Sequence, residues 1–192
     1  MTQSSFATRL PRWEHAGQPF FSSLRRSTSF PRLTVQNAAS GTAGTVAPGE
    51  IVTLQGYGLG PATAAIAPSQ APVDQLGGTQ VTFGGVAAPI FSAQAQQVTV
   101  QVPWEITGQT STEVVVTYNG GPPAGTSSSV PVVVATAAPG IFAVANSDGT
   151  LNSSTNPANA GGFITIYGTG GGVTSPLGIT EEHGRLLQRF RL

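Results

Sequence analysis

Residues 48–60, P-G-E-I-V-T-L-Q-G-Y-G-L-G, return 112 positions later as residues 160–172, A-G-G-F-I-T-I-Y-G-T-G-G-G. Gly49 aligns with Gly161, Thr53 with Thr165, and Gly56, Gly58 and Gly60 with Gly168, Gly170 and Gly172. Each copy is a short apolar strand signal running into a glycine-studded loop. The spacing exceeds the ~20–50 residues of a solenoid unit and matches one small domain of about 100 residues. Only 20 of the 192 residues follow the second copy, so the expectation is one whole domain and the opening of another.

Composition points to an all-β chain. Gly (25) and Pro (15) make up about a fifth of it, and only 8% of residues are charged, against the usual quarter. The charges are segregated. There is no Lys, and the arginines stand at 9, 12, 25, 26, 32, 185, 189 and 191. Residues 33–180 carry Glu50, Asp74, Glu105, Glu113 and Asp148 and no cation. A body without cations has nothing to hold phosphates, which argues against nucleic-acid partners. With no Cys there is neither a disulfide framework nor a thiolate metal site. No apolar run reaches the ~18–20 residues of a membrane span. The N-terminus lacks the apolar core of a secretory signal.

Five segments follow from these shifts. Residues 1–32 form an Arg- and Ser-rich extension without periodicity, read as disordered. Residues 33–136 are a string of strands: 50–55, 80–83, 89–92, 97–102, 112–118 and 130–135. Val98, Val100 and Val102 alternate with Thr99 and Gln101, as on a half-buried strand. Residues 113–118 are apolar for longer, as in a more buried strand. Leu76-Gly-Gly-Thr79, Phe83-Gly-Gly-Val86 and Tyr118-Asn-Gly-Gly-Pro122 mark turns, with Asn119-Gly120 suited to positive φ. Residues 137–145 read as a junction pinned by Phe142, residues 146–176 as an incomplete second sandwich, and residues 177–192 as a charged tail of different character. The expected fold class is an all-β, Ig-like antiparallel β-sandwich followed by a truncated second repeat.

An ordered series of motifs runs through 33–176. It comprises Asn37-Ala-Ala-Ser40, Val46-Ala-Pro-Gly-Glu-Ile-Val-Thr53, Gly56-Tyr-Gly-Leu-Gly-Pro61, Leu76-Gly-Gly78 and Val81-Thr-Phe-Gly-Gly-Val-Ala-Ala-Pro89. Gln101-Val-Pro-Trp-Glu105, Ala137-Ala-Pro-Gly-Ile-Phe142, Asp148-Gly-Thr-Leu-Asn152, Asn156-Pro157 and Thr165-Ile-Tyr-Gly168 continue it. In this the chain resembles an immunoglobulin-like module of the IPT/TIG type, and more closely the uncharacterised C-terminal module of large secreted acidobacterial proteins. The resemblance implies tandem β-sandwiches without a known active site, at an extracellular or cell-surface location. Two departures stand out: the family completes its second sandwich, and its members carry export signals and large upstream regions. They suggest a fragment.

Chemistry finds little purchase. Gly56-Tyr-Gly-Leu-Gly60 is G-x-G-x-G with no helix after it, not a dinucleotide fingerprint, and a phosphate loop would need Lys. The six glycines Gly56, Gly58, Gly60, Gly168, Gly170 and Gly172 are read as structural, bending the chain at positive φ after an edge strand. His15 and His183 lack metal-ligand company, and Glu181-Glu-His183 reads as a solvated face. No G-x-S-x-G elbow is present. Asp148-Gly-Thr-Leu-Asn152 lacks the EF-hand pattern and reads as an Asx turn. No catalytic, cofactor-binding or metal-ligating residue is assigned, and no cofactor is expected. Trp104, Tyr57 and Tyr118 are the candidates for stacking on a ligand, with packing as the alternative use.

The function expected is a non-catalytic structural or adhesion module. A carbohydrate-binding accessory module is the alternative. Partners would be protein or glycan on the sandwich surface, or another copy through unpaired strand edges, because the second repeat has no nearby charge to blunt an edge. That repeat is expected to pack on the first domain, to pair with another chain or to stay mobile.

Overall fold

The structure, a computed structural model, describes residues 32–68, 72–121, 125–126 and 129–175. The leader up to residue 31, with His15, and the segment from 176 onward, with His183, lie outside the described residues. In chain order the strands are β1 (Thr34–Asn37), β2 (Thr45–Val46), β3 (Ile51–Gln55), β4 (Ala65–Ile66), β5 (Gln75–Leu76), β6 (Thr79–Phe83), β7 (Val86–Ala87), β8 (Ile90–Gln94), β9 (Gln97–Gln101), β10 (Ser111–Tyr118), β11 (Gly125–Thr126), β12 (Val130–Val134), β13 (Gly140–Asn146) and β14 (Ile164–Thr169). A single turn of 3-10 helix, Trp104–Ile106, connects β9 to β10.

Two sheets face each other. One has the order β1-β3-β9-β8-β4, all neighbours antiparallel. The other runs β2-β12-β10-β6-β5, with β11 added beside β10, β7 beside β6, and a parallel pairing of β2 with β12. Val35, Val52, Leu54, Ile90, Ala93, Val98 and Val100 from the first sheet meet Val46, Val81, Phe83, Val114, Val116 and Val132 from the second in one core. Each buried Val, Leu or Phe side chain contributes about 1.5–3 kcal/mol through removal from water. The chain is an all-β sandwich, as its composition and alternation required.

Local chemistry accounts for the edges of these strands. Gly77 and Gly78 (φ 57° and 82°), and Gly84 and Gly85 (φ 57° and 86°), make two-residue turns with positive φ at both positions. These primed turns match strand twist and close the hairpins β5–β6 and β6–β7. After β10 Gly121 has positive φ and Gly120 does not. Val98, Val100 and Val102 are fully buried, as alternation predicts, but Gln101 is buried as well. β10 alternates: Thr112, Val114, Val116 and Tyr118 point into the core while Glu113 is exposed and Val115 half-buried.

β13 and β14 form a separate two-stranded hairpin. Residues 140–145, which the sequence places in a junction, are therefore strand, and the connection shortens to 135–139. Phe142 does not pin it, being 47% exposed. The register shows what the sequence repeat means. Asn37, Gln36, Val35 and Thr34 face Val52, Thr53, Leu54 and Gln55 across β1–β3. Asn146, Ala145, Val144 and Ala143 face Ile164, Thr165, Ile166 and Tyr167 across β13–β14 in the same order. The hairpin is a second copy of β1–β3, with a connection three residues longer. β3 itself is no edge strand, since β1 and β9 flank it, whereas β14 pairs with β13 alone among the described residues.

One hydroxyl is out of place. Thr112 Oγ1 is buried and has no hydrogen-bond partner. An unsatisfied buried hydroxyl costs about 1–3 kcal/mol. The near-isosteric Thr112→Val is expected to raise stability by ~1 kcal/mol in urea unfolding; a variant less stable than the parent would show that the hydroxyl is satisfied in solution.

Candidate functional site

The most unusual chemistry lies where β1 ends and β3 begins. Pro48 and Gly49 occupy a tight turn closed by Glu50 N–H donating to Ala47 O at 3.1 Å. Proline sets φ at the first central position, and the second needs positive φ, which Gly49 supplies at 74°. A side chain there would also overlap the Trp104 ring. The turn folds the Glu50 side chain inward, and the residue is 0% exposed. Its Oε2 accepts from Ala47 N–H at 2.6 Å and its Oε1 from Asn37 Nδ2 at 2.8 Å.

Asn37 is the hub. Its Oδ1 accepts from the Ala39 and Ser40 amides, both at 2.9 Å, fixing the turn after β1. Its second Nδ2 hydrogen goes to Ala138 O at 2.9 Å, in the connection between the two repeats. The side chain thereby uses both donors and its acceptor oxygen, as a buried amide must.

The second hairpin closes over this cluster. Ile51 N–H donates to Thr169 Oγ1 at 2.6 Å, and Ala138 N–H to Gly170 O at 2.8 Å. Glycine is required by space as well as by φ. A Cβ on Gly170 (φ 74°) would collide with Ala138 O and lie 3.4 Å from Glu50 Cγ; one on Gly172 (φ 79°) would collide with Thr136 O. One on Gly140 would collide with Asn37 Oδ1.

Burial pushes the Glu50 carboxyl up from 4.5 to about 7, against the opposing pull of the Ala47 N–H and the Asn37 amide. The other ionisable residue in the neighbouring 104–106 turn is Glu105, which is exposed. The connection 135–140 and residues 164–172 bring no charged side chain. Among the described residues the cluster therefore has no cation to compensate Glu50.

The opposite end of the same sheet holds a cleft of about 480 Å³ lined by Arg32, Thr34, Gln55, Gly56, Tyr57, Gln94, Gln96 and Gln97. It forms where β1 starts, β3 ends and β8 turns into β9. Tyr57 is 54% exposed there. The three aromatic candidates are not brought together. Tyr118 is a buried core residue at the end of β10, and Trp104 lies half-buried against Gly49 at the Glu50 end. Of the six repeat glycines, Gly58, Gly170 and Gly172 have positive φ. Gly56, Gly60 and Gly168 are instead constrained by close neighbours: Leu59, the Thr79 hydroxyl with Gln94 O, and Gly140 O respectively.

Comparison with family models, with curated proteins and with solved structures returns no match. Among the described residues no group of three His, Cys, Asp or Glu side chains is placed to hold a metal ion, and no helix is long and apolar enough to cross a membrane.

Sequence reasoning passed over Asn37 and Glu50 as functional residues. A signal was present: Glu50 is the one acid within the apolar run 46–54, and its counterpart in the second copy is Gly162. Unfolded chains release the Glu50 proton near 4.5 and the folded protein near 7, so the folded state binds it more tightly. The stability this proton brings is complete below about pH 4.5, declines as pH rises through 7, and is gone above it. The displacement is worth ~3 kcal/mol. Urea unfolding across pH 4–8 should show that decline, and Glu50→Gln should flatten it; stability rising with pH in this window would contradict the burial described.

Proposed function

We propose that this chain is a non-catalytic structural or adhesion module of an extracellular or cell-surface bacterial protein, built from Ig-like β-sandwich units that follow one another at a fixed orientation. The observation supporting this reading best is the joint. Asn37–Ala138, Ile51–Thr169 and Ala138–Gly170 tie the second repeat to the first through three hydrogen bonds between residues more than 30 positions apart. A linker meant to let two units swing freely would be polar and unpaired. Here the connection is fastened on both sides by backbone and buried amide groups, with glycines chosen so that the chains approach closely.

The buried ionisable group fits the same use. Both Glu50 oxygens are engaged by Asn37 and Ala47 inside the joint. They serve to hold the turn and the amide that reach the next unit. The extracellular setting rests on the resemblance to the modules of secreted acidobacterial proteins.

A rigid spacer transmits position. Its two units therefore tumble as one body, and NMR relaxation of amides in 34–134 and 140–169 should give a single correlation time. Gly170→Ala adds left-handed backbone strain of about 1–2 kcal/mol to the collision with Ala138 O. It should loosen the hairpin while leaving the first sandwich folded. Two correlation times in the unaltered protein would defeat the spacer reading.

A further inference from the structure

The joint brings together two different ends of equivalent units. The hairpin contributes the end where β14 runs out, at Thr169 and Gly170. The sandwich contributes the end where β1 turns and β3 begins, at Asn37, Glu50 and Ile51. The matched register identifies the corresponding ends on the other side of each unit. On the sandwich, Tyr57 and Gly58 stand where Thr169 and Gly170 stand on the hairpin. On the hairpin, Asn146 and Phe163 stand where Asn37 and Ile51 stand on the sandwich. One pair of ends is joined within the chain, and its two counterparts face outward.

Their burial follows that division. Thr169 is 9% exposed inside the joint, whereas its counterpart Tyr57 is 54% exposed in the cleft. Ile51 is half-buried at the joint, whereas Phe163 is 64% exposed. Asn146 keeps the role of Asn37 as a buried amide hub. Its Nδ2 donates to Asn156 O at 3.1 Å and its Oδ1 accepts from Asn152 Nδ2 at 2.8 Å, shaping the 147–163 loop.

The two outward ends also carry opposite charge. Arg32, on the rim of the cleft, is exposed and is the one cation among the described residues. Asp148, in the turn after Asn146, is exposed. The Thr150 hydroxyl and N–H, at 2.7 and 3.0 Å, hold its carboxyl below the usual range and so keep it ionised. The glutamine side chains of the cleft offer donors and acceptors to a polar loop.

We propose that the Tyr57 cleft of one copy receives the Asn146–Phe163 end of a second copy, repeating between chains the head-to-tail contact made once within the chain. The proposal rests on the tandem-module reading above and adds to it the surface and the partner. Because the two surfaces differ, the contact is heterologous, and each added copy leaves one cleft and one hairpin end uncovered. The product is an open row that grows with concentration. Within the chain the covalent connection supplies a high effective concentration; between chains it does not, so the contact is weak, with Kd about 0.1–1 mM.

Sedimentation velocity on the full chain, from micromolar concentration to about 1 mM, tests this near the expected Kd. Weight-average size should rise without saturating at a dimer. Arg32→Asp and Asp148→Arg should each weaken association about three- to fivefold, the reach of a single exposed ion pair. The double swap should return it to within about twofold of the parent. Asp148→Asn keeps the turn and removes only the charge, so it should weaken association as well. A chain that stays monomeric throughout overturns the proposal, as does a saturating dimer indifferent to these changes, which is what pairing of β14 edges would give. Glycan binding that depends on Tyr57, without self-association, would assign the cleft to sugar instead. A monomer with a single correlation time removes the stacking and leaves the spacer reading standing; two correlation times remove both.

Discussion

A buried carboxyl held by two amides, with no cation beside it among the described residues, organises this protein. Removing a charged group from water is costly unless hydrogen bonds take the place of the lost hydration. Glu50 finds its replacements in one backbone amide and one side-chain amide. Asn37 can supply the second only because its own oxygen is held by two backbone groups and its remaining hydrogen reaches Ala138. A local requirement, satisfying Glu50, thus extends through one amide into the connection between repeats. Turn, strand end and inter-repeat contact share a single set of hydrogen bonds, so that a change at any one is felt at the others.

Much of the sandwich was legible in the sequence, because its code is local. Alternating valines in 98–102 and the paired glycines at 77–78 and 84–85 each specify their structure within a few residues. The two-residue strands β2, β4, β5, β7 and β11 were not legible. Segments that short exist because a neighbouring strand lies beside them, not because of their own pattern. Phe142 misled for a related reason. An apolar residue after Pro-Gly looks like an anchor, yet in a hairpin with no further strand beside β14 among the described residues it stays 47% exposed. Asn37 and Glu50 were missed because their importance is a relation between positions 37, 50, 138 and 169, which no window of sequence contains.

The glycine repeat shows how one motif serves two purposes. In both copies it ends a strand with a residue at positive φ, Gly58 or Gly170. In the first copy the following loop is covered by Leu59 and Thr79 of the same sandwich, and Tyr57 faces outward. In the second, the same strand end is drawn against another unit, and Thr169 turns its hydroxyl to Ile51. A Thr at 57 would leave the cleft without its aromatic wall. At this position the two copies carry different side chains, Tyr57 exposed and Thr169 buried.

The span of the joint orders events in time. Ala138 lies 101 residues from Asn37, and Thr169 lies 118 residues from Ile51, so these contacts carry a large loop-closure entropy and form late. A chain delivered from its N-terminus presents all of the first sandwich, which ends at Val134, before residue 169 leaves the ribosome. Until then the Glu50 end lacks the contacts that Thr169 and Gly170 bring to it, so the last part of the joint to be made is also the part that closes it.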